Sequence, residues 1–170
     1  MNIENYIRDI QDFPKQGIVF KDITPLLKNP LAFKYTTISL LNLVGNKQVD
    51  KVVGMETRGF FFATLMAQEL NAGFVPVRKP NKLPSKTIQE TYALEYGTDT
   101  LEIHADAISP GDKILIHDDV LATGGTAKAT CKLVERLGGE IVQCNFLIEL
   151  VALNGRNQLE GIEAKSLLTY

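Results

Sequence analysis

The sequence has little of what builds metal-stapled or disulfide-stapled proteins. Its 170 residues include no tryptophan, two histidines and two cysteines. Cys131 and Cys144 show neither metal-type spacing nor a disulfide framework. His104 and His117 are too few to form a histidine-rich zinc site on their own. These shortages argue against a zinc domain and against a small disulfide-rich scaffold.

Long hydrophobic runs and an excess of one charge are also missing. No apolar run approaches the roughly 20 residues that cross a bilayer, and the N-terminal stretch MNIENYIRDIQDFPKQG lacks the order of a secretion signal. The net charge of −2 provides no general basic field for nucleic acid. We therefore expect a cytoplasmic protein with reduced thiols, no membrane contact and no nucleic-acid partner.

What is present is the pattern of one globular α/β domain. Apolar content is 45% and charged content is 22%, values typical of globular proteins. Residues 3–12 are predicted to form an amphipathic helix, residues 13–30 a loop with an extended piece at 18–20, and residues 31–44 a helix. Further along, predicted strands alternate with helices at 59–71 and 126–137, and two extended segments flank Gly97. This alternation predicts a central, mostly parallel sheet flanked by helices, with the ligand site beyond the carboxyl ends of its strands.

The stretch ILIHDDVLATGGTA contains a loop suited to an anion. Gly124 and Gly125 allow close backbone approach, so successive N–H groups can point into one concavity. Thr123 and Thr126 add hydroxyl donors, and the helix that follows directs its positive end the same way. The alternative is an ordinary glycine-rich connection with a threonine cap.

Two acids, Asp118 and Asp119, precede this loop. They would repel a phosphate placed on them, but they suit hydroxyl donors or a hydrated Mg²⁺. A ribose 5-phosphate meets both demands, with its 2- and 3-hydroxyls at the acids and its phosphate at the glycines. The alternative is a pair of solvated acids.

A second group of positive charges follows two other predicted strands. Arg58 lies before a helix, and the stretch RKPNKLPSK contains Arg78, Lys79 and Lys82 with no acid. Together they suggest a site for a more highly charged group such as pyrophosphate. The alternative is a solvated basic loop, or one that contacts nucleic acid.

Other nucleotide motifs fit poorly. The dinucleotide pattern G-x-G-x-x-G is missing, and GMETRG has P-loop glycine spacing but Phe60 where the lysine is required.

These segments together resemble the adenine phosphoribosyltransferases, members of the type I phosphoribosyltransferase superfamily. IHDDVLATGGTA resembles the superfamily's phosphoribosyl pyrophosphate signature. GIVFKDITPLL, ETRGF, VRKPNKLP and YALEYGTDTLEIH carry the resemblance to the adenine enzymes. It implies a single domain over 1–170, with an N-terminal base-binding hood at 1–30 and a mobile β-hairpin lid, the catalytic loop, at about 81–103.

The resemblance also implies roles for individual residues. The 5-phosphate and ribose would be held by Asp118, Asp119, Ala122, Thr123, Gly124, Gly125 and Thr126. Pyrophosphate would be held by Arg58, Arg78, Lys79 and Lys82. Adenine would be bound by Val19, Phe20, Lys21 and Leu150, and the catalytic pair on the mobile loop would be Glu95 and Tyr96. A cis peptide bond is expected between Glu56 and Thr57.

The implied reaction joins adenine and phosphoribosyl pyrophosphate to give AMP and pyrophosphate. Mg²⁺ would come mainly with the substrate, with Asp118 or Asp119 as a contact through water, and the protein would be a homodimer. The alternatives are transfer to hypoxanthine, guanine or xanthine, and a regulator that senses phosphoribosyl pyrophosphate. Two residues depart from the family pattern: Lys21 replaces the usual arginine, and His117 replaces an aliphatic residue and is expected to pair locally rather than to catalyse.

Overall fold

The computed structural model describes residues 1–94 and 97–170. The chain forms two compact units, residues 1–42 and residues 43–170. Within the described ranges, no helix combines the length and the apolar character needed to cross a membrane.

The larger unit is built on a parallel sheet of five strands. Two 4-residue strands, β1 (Arg8–Gln11) and β2 (Val19–Asp22), precede it in the chain. Its own strands are β3 (Lys51–Met55), β4 (Gly73–Val77), β7 (Lys113–Leu121), β8 (Glu140–Glu149) and β9 (Ala164–Thr169). They run in the order β4-β3-β7-β8-β9, and every neighbouring pair is parallel. The predicted α/β class with a mostly parallel sheet is confirmed.

Helices cover both faces of this sheet. Helix α3 (Gly59–Glu69) connects β3 to β4, and helix α4 (Gly125–Arg136) connects β7 to β8. The α4 side is an aliphatic core, in which Val53, Ile116 and Phe146 cluster with Cys131 and Val134 of α4. Because side chains alternate along a strand, the next residues face α3. The ring of His117 packs edge-on against Phe62 of α3 at a centroid distance of 6.2 Å.

Strand β7 contains both aspartates, as the predicted strand over residues 113–119 does, and ends two residues later at Leu121, which pairs with Glu149 of β8. The acids therefore lie within the last rungs of the sheet, and the strand backbone fixes their direction.

A separate antiparallel hairpin follows β4. Strands β5 (Thr87–Ala93) and β6 (Thr98–His104) pair from Thr87 with His104 to Ala93 with Thr98. The hairpin packs on α4, and β6 also contacts β4.

The smaller unit differs from the prediction at its start. Residues 3–12 are not a helix; Ile3–Tyr6 is a single 3-10 turn, and β1 pairs antiparallel with β2. Arg8 lies opposite Asp22, and Asp9 lies opposite Lys21, so opposite charges face each other across the pair. A lone helix of this length is marginal, whereas the strand pairing satisfies the backbone.

Two helices end this region. Helix α1 (Thr24–Lys28) lies in the stretch predicted as a loop, and its proline occupies the first turn, where a missing N–H is harmless. Helix α2 (Pro30–Val44) confirms the predicted helix.

Candidate active site

Three strand ends bring acids and cations to one edge of the sheet. Arg58, directly before α3, places its Nε 2.9 Å from Oδ2 of Asp119. Arg78, directly after β4, places its Nε 3.1 Å from Oε2 of Glu56, the residue after β3. The expected gathering of these segments along one rim is thus observed.

Burial controls the charge of the two aspartates. Desolvation, followed by the charge of Asp119, raises the pKa of Asp118 well above its usual range. Desolvation also raises the pKa of Asp119, although Arg58 opposes the shift. Within the described ranges, Oδ2 of Asp119 accepts no hydrogen bond even though the Arg58 charge is close. A buried carboxylate oxygen in this state is suited to a hydroxyl donor or a bound water.

Gly59 allows helix α3 to start directly beside the acids. A Cβ atom at this position would lie 2.9 Å from Oδ1 of Asp118 and 3.0 Å from the carbonyl oxygen of His117. A larger residue would push the Arg58 backbone away from the aspartates.

The Thr-Gly-Gly-Thr loop lines a small cavity of about 60 Å³ at the N-terminus of α4. Its walls are Asp118, Val120, Leu121, Ala122, Thr123, Gly124, Thr126 and Ala127. Gly124 has φ of +83° and immediately precedes the helix. The cavity thus combines backbone and hydroxyl donors with a helix N-terminus, a combination suited to an anion.

The loop is held closely from behind by Gly155. A Cβ atom on Gly124 would lie 2.3 Å from the Gly155 carbonyl oxygen, and one on Gly155 would lie 2.1 Å from the Ala122 carbonyl oxygen. Arg156 is paired in turn with Glu149 at the end of β8. The role of Gly155 was not predicted, because a lone glycine far along the chain gives no sign of this contact.

The basic segment is organised by Glu56, which the sequence analysis did not include among the site residues. Oε2 of Glu56 accepts hydrogen bonds from Arg78 Nε at 3.1 Å and from the Lys79 backbone at 2.9 Å, and Oε1 accepts one from Lys82 Nζ at 2.6 Å. Burial would raise the pKa of Glu56, but these donors lower it below its usual value. The sequence does offer one sign of this role: Glu56 directly follows β3, just as Arg78 directly follows the neighbouring strand β4.

The remaining predicted cation, Lys79, pairs with Asp99 of β6. Burial by itself would lower the pKa of Lys79 and raise that of Asp99. The ion pair between them outweighs burial, so the pKa of Lys79 is raised and that of Asp99 is lowered. The four basic residues predicted to bind pyrophosphate are therefore all paired with carboxylates, and their side chains remain 33–47% exposed.

No cluster of three or more metal-ligating side chains occurs in the part of the chain that the structure describes. The acidic pair, in which Oδ2 of Asp119 has an ion pair with Arg58 but no aligned hydrogen bond among the described residues, nevertheless fits a hydrated Mg²⁺ held through water. The donor set fits a metal carried by the substrate and not one enclosed by the protein.

The predicted base-binding residues fall in both units. Val19, Phe20 and Lys21 all lie on β2, where Phe20 packs edge-on against Phe13 at 5.2 Å between centroids. Lys21 Nζ lies 2.7 Å from Asp9. Leu150 directly follows β8, and its N–H donates to the Leu121 carbonyl. That these residues form one base pocket stays a prediction.

His117 is a buried residue with a local partner, as expected. Its Nδ1 lies 2.7 Å from Oδ1 of Asn145. Burial lowers the pKa of His117 to about 4.

The predicted cis peptide bond between Glu56 and Thr57 is present. The predicted catalytic pair, Glu95 and Tyr96, lies outside the described residues.

Comparison with known proteins defines the class first. Residues 26–163 match the model of the phosphoribosyl transferase domain. The adenine phosphoribosyltransferase of Flavobacterium johnsoniae is 64% identical over 170 residues, which is 100% of both chains. That of Christiangramia forsetii is 58% identical and covers 100% of this chain and 99% of its own.

Solved structures that resemble this chain are also adenine phosphoribosyltransferases. An adenine phosphoribosyltransferase of Rhodothermus marinus superposes with a TM-score of 0.95 at 53% identity, covering 99% of this chain and 96% of its own. The enzyme of Saccharomyces cerevisiae, complexed with an imino-altritol bisphosphate and adenine, superposes with a TM-score of 0.92 at 38% identity, covering 97% and 96%. This chain belongs to the phosphoribosyltransferase family and, within it, to the adenine phosphoribosyltransferases.

Proposed function

We propose that the protein transfers the 5-phosphoribosyl group from phosphoribosyl pyrophosphate to N9 of adenine, giving AMP and pyrophosphate in purine salvage. The observation that carries the proposal is the single sheet edge where a phosphate-sized cavity, an acid pair and four cations meet. A ligand with a phosphate, a diol and a pyrophosphate matches these three features in order.

In the proposed complex, the 5-phosphate occupies the cavity of the Ala122–Thr126 loop, where backbone N–H groups and the hydroxyls of Thr123 and Thr126 donate to it. Asp118 and Asp119 accept hydrogen bonds from the ribose hydroxyls. In their ionised form, the two acids favour the positive charge that develops on the ribose ring as its bond to pyrophosphate breaks.

Pyrophosphate would take over the cations that are now paired with protein acids. Arg58, Arg78, Lys79 and Lys82 are partly exposed and lie at the same edge, so an entering anion can replace Glu56, Asp99 and Asp119 as their partner. Mg²⁺, when bound with the substrate, would further neutralise charge on the leaving pyrophosphate.

The remaining roles belong to the same proposal. Val19, Phe20, Lys21 and Leu150 bind adenine, with Phe20 stacking on the base. Glu95 acts as general acid or base toward the adenine ring, and Tyr96 lies beside it on the mobile segment 81–103, which excludes water when it closes. The segment 1–30 forms the base-binding hood of a single-domain enzyme.

Two further assignments concern the setting of the enzyme. We place it in the cytoplasm, since its two cysteines are buried and unlinked, as in a reducing compartment.

We also assign a homodimer, supported by the exposed apolar residues Leu31, Tyr35 and Ile38, spaced along one face of α2.

The test is product formation from phosphoribosyl pyrophosphate and Mg²⁺ with adenine, hypoxanthine, guanine and xanthine offered separately. AMP should form from adenine, with little product from the other bases. The variant Glu95→Gln removes the carboxylate and keeps the shape, and we expect kcat to fall by about 100-fold or more.

The matched control is Thr91→Val, which changes another residue of the same hairpin and should retain wild-type kcat. Turnover of a different purine would refute the base assignment. Tight binding of phosphoribosyl pyrophosphate without turnover of any base would favour a sensor over an enzyme.

A further inference from the structure

Tyr92 of the hairpin reaches the phosphate-binding loop directly. Its Oη lies 3.0 Å from Oγ1 of Thr126, the second residue of α4. Its ring occupies the space beside Gly125, where a Cβ atom would lie 3.0 Å from Cδ2 of the tyrosine. Because Gly125 has no side chain, it leaves room for the Tyr92 ring as well as for a ligand.

The position of Tyr92 is set by the docking of the whole strand β5 on α4. Near the other end of that helix, Glu90 pairs with Lys132 at 2.9 Å and with Arg136 at 3.4 Å. Arg136 also donates to the Gln89 carbonyl oxygen at 2.6 Å. Strand and helix are therefore joined from the first turn of α4 to the last, which places the Tyr92 hydroxyl beside Thr126.

The hydrogen bond between the Tyr92 and Thr126 hydroxyls can run in either direction. Tyr92 Oη also lies 3.2 Å from Oδ2 of Asp99, and a carboxylate can only accept. Tyr92 can donate to Asp99 while Thr126 donates to Tyr92, or Tyr92 can donate to Thr126. Only the second arrangement leaves the Thr126 proton available for the cavity.

We infer that Tyr92 is a positioning residue for the 5-phosphate, whose hydroxyl donates to Thr126 and directs the Thr126 proton onto a phosphate oxygen. A bound phosphate favours this arrangement, because its oxygens accept the Thr126 proton. The two hydrogen bonds, from Tyr92 to Thr126 and from Thr126 to the phosphate, then strengthen each other. The inference rests on the proposed function of the loop.

The same contact links the two anion sites. Asp99, the alternative acceptor for Tyr92, is the partner of Lys79, which is assigned to pyrophosphate. Filling the phosphate cavity withdraws the Tyr92 proton from Asp99. The hairpin thus responds to the 5-phosphate as well as covering the reacting centre.

The experiment compares Tyr92→Phe, which keeps the ring against Gly125 and removes only the hydroxyl, with the wild type. We expect KM for phosphoribosyl pyrophosphate to rise about three- to tenfold, the range set by one lost hydrogen bond, with little change in kcat or in KM for adenine. The control Thr91→Val breaks a hydroxyl pair with Thr100 in the same hairpin and should leave both KM values unchanged.

A double variant separates positioning from general support of the hairpin. If Tyr92 acts through Thr126, Tyr92→Phe adds less than a twofold effect in a Thr126→Val background. The inference is overturned if the effects of the two substitutions multiply, if Tyr92→Phe leaves KM unchanged, or if Thr91→Val has the same effect.

Calorimetric titration with ribose 5-phosphate decides the question even without turnover. Weaker binding to Tyr92→Phe than to wild type supports the inference even if no AMP forms, an outcome that would refute only the proposed function. Equal binding, or no binding to either protein, overturns the inference.

Discussion

At the scale of single residues, the loop that lines the small cavity, which we propose holds the 5-phosphate, depends on two glycines that approach each other across the chain. Gly124 combines a left-handed φ with close contact to the Gly155 carbonyl oxygen. An added methyl group there meets backbone rather than a flexible side chain. Relief requires a shift of backbone, either of the loop that lines the cavity or of the Gly155 segment packed against it.

We predict that Gly124→Ala raises KM for phosphoribosyl pyrophosphate at least about tenfold and lowers the free energy of unfolding by roughly 2–3 kcal/mol. Gly111→Ala is the matched control, because Gly111 has φ of +87° with nothing within 4 Å of an added Cβ. That control should cost only about 1 kcal/mol, through its backbone, and leave KM unchanged. Enzyme kinetics and urea unfolding measure both, and equal effects on KM would contradict the role assigned to Gly155.

His117 gives a second residue-scale prediction, on pH. Burial lowers its pKa from 6.5 to about 4, so between these values the unfolded state binds more protons than the folded state. The contribution to stability is complete above about pH 6.5 and is lost as pH falls toward 4. Between pH 7.5 and 5, it amounts to roughly 2 kcal/mol of unfolding free energy.

The comparison variant is His117→Gln, which can still bond Asn145 but does not titrate. Urea unfolding at pH 7.5 and 5 should show a smaller acid loss in the variant than in the wild type. The same loss in both proteins would assign the acid sensitivity to other groups.

At the scale of elements, the hairpin β5–β6 differs from the central sheet. The inner sheet strands β3, β7 and β8 are largely buried, whereas the hairpin is a two-stranded element docked on α4 through Glu90 and Tyr92. Two-stranded elements have little stability of their own. Its order therefore depends on the contacts with α4.

We predict faster amide hydrogen exchange in β5 and β6 than in β7 and β8, and a further increase in the hairpin alone for Glu90→Gln. This substitution removes the charge that pairs with Lys132 and Arg136. Glu135→Gln, an exposed site on α4, should leave the hairpin at the wild-type rate. Equal hairpin exchange in all three proteins would show that the docking contacts do not limit its opening.

At the scale of the whole molecule, the exposed face of α2 bears on assembly. Leu31, Tyr35 and Ile38 are 69%, 40% and 46% exposed and recur at helical spacing. Such a stripe is costly to leave in water and suits contact with a second copy.

We predict sedimentation at twice the 18.8 kDa chain mass, with Ile38→Glu shifting the protein toward monomer, because a buried, unpaired charge opposes association. Glu135→Lys, a charge change on α4, should remain dimeric. Sedimentation of the wild type as a monomer, or an unaffected dimer in Ile38→Glu, would refute this interface.

Much of the fold and of the site's composition was readable along the chain. Alternating apolar runs predicted the parallel sheet, because strand and helix periods differ, and glycines, threonines and adjacent acids at strand ends pointed to the anion site. The N-terminal helix was wrong, since spaced isoleucines fit either element and the pairing of β1 with β2 decided between them.

The sequence by itself determined the elements and the chemical groups at their ends, because those follow from local spacing and residue type. Only the tertiary structure decided which groups meet: Glu56 with three donors, Gly155 against Gly124, and Tyr92 against Thr126. These contacts join residues 22 to 34 positions apart, and no local pattern records a distance that depends on how strands and helices pack.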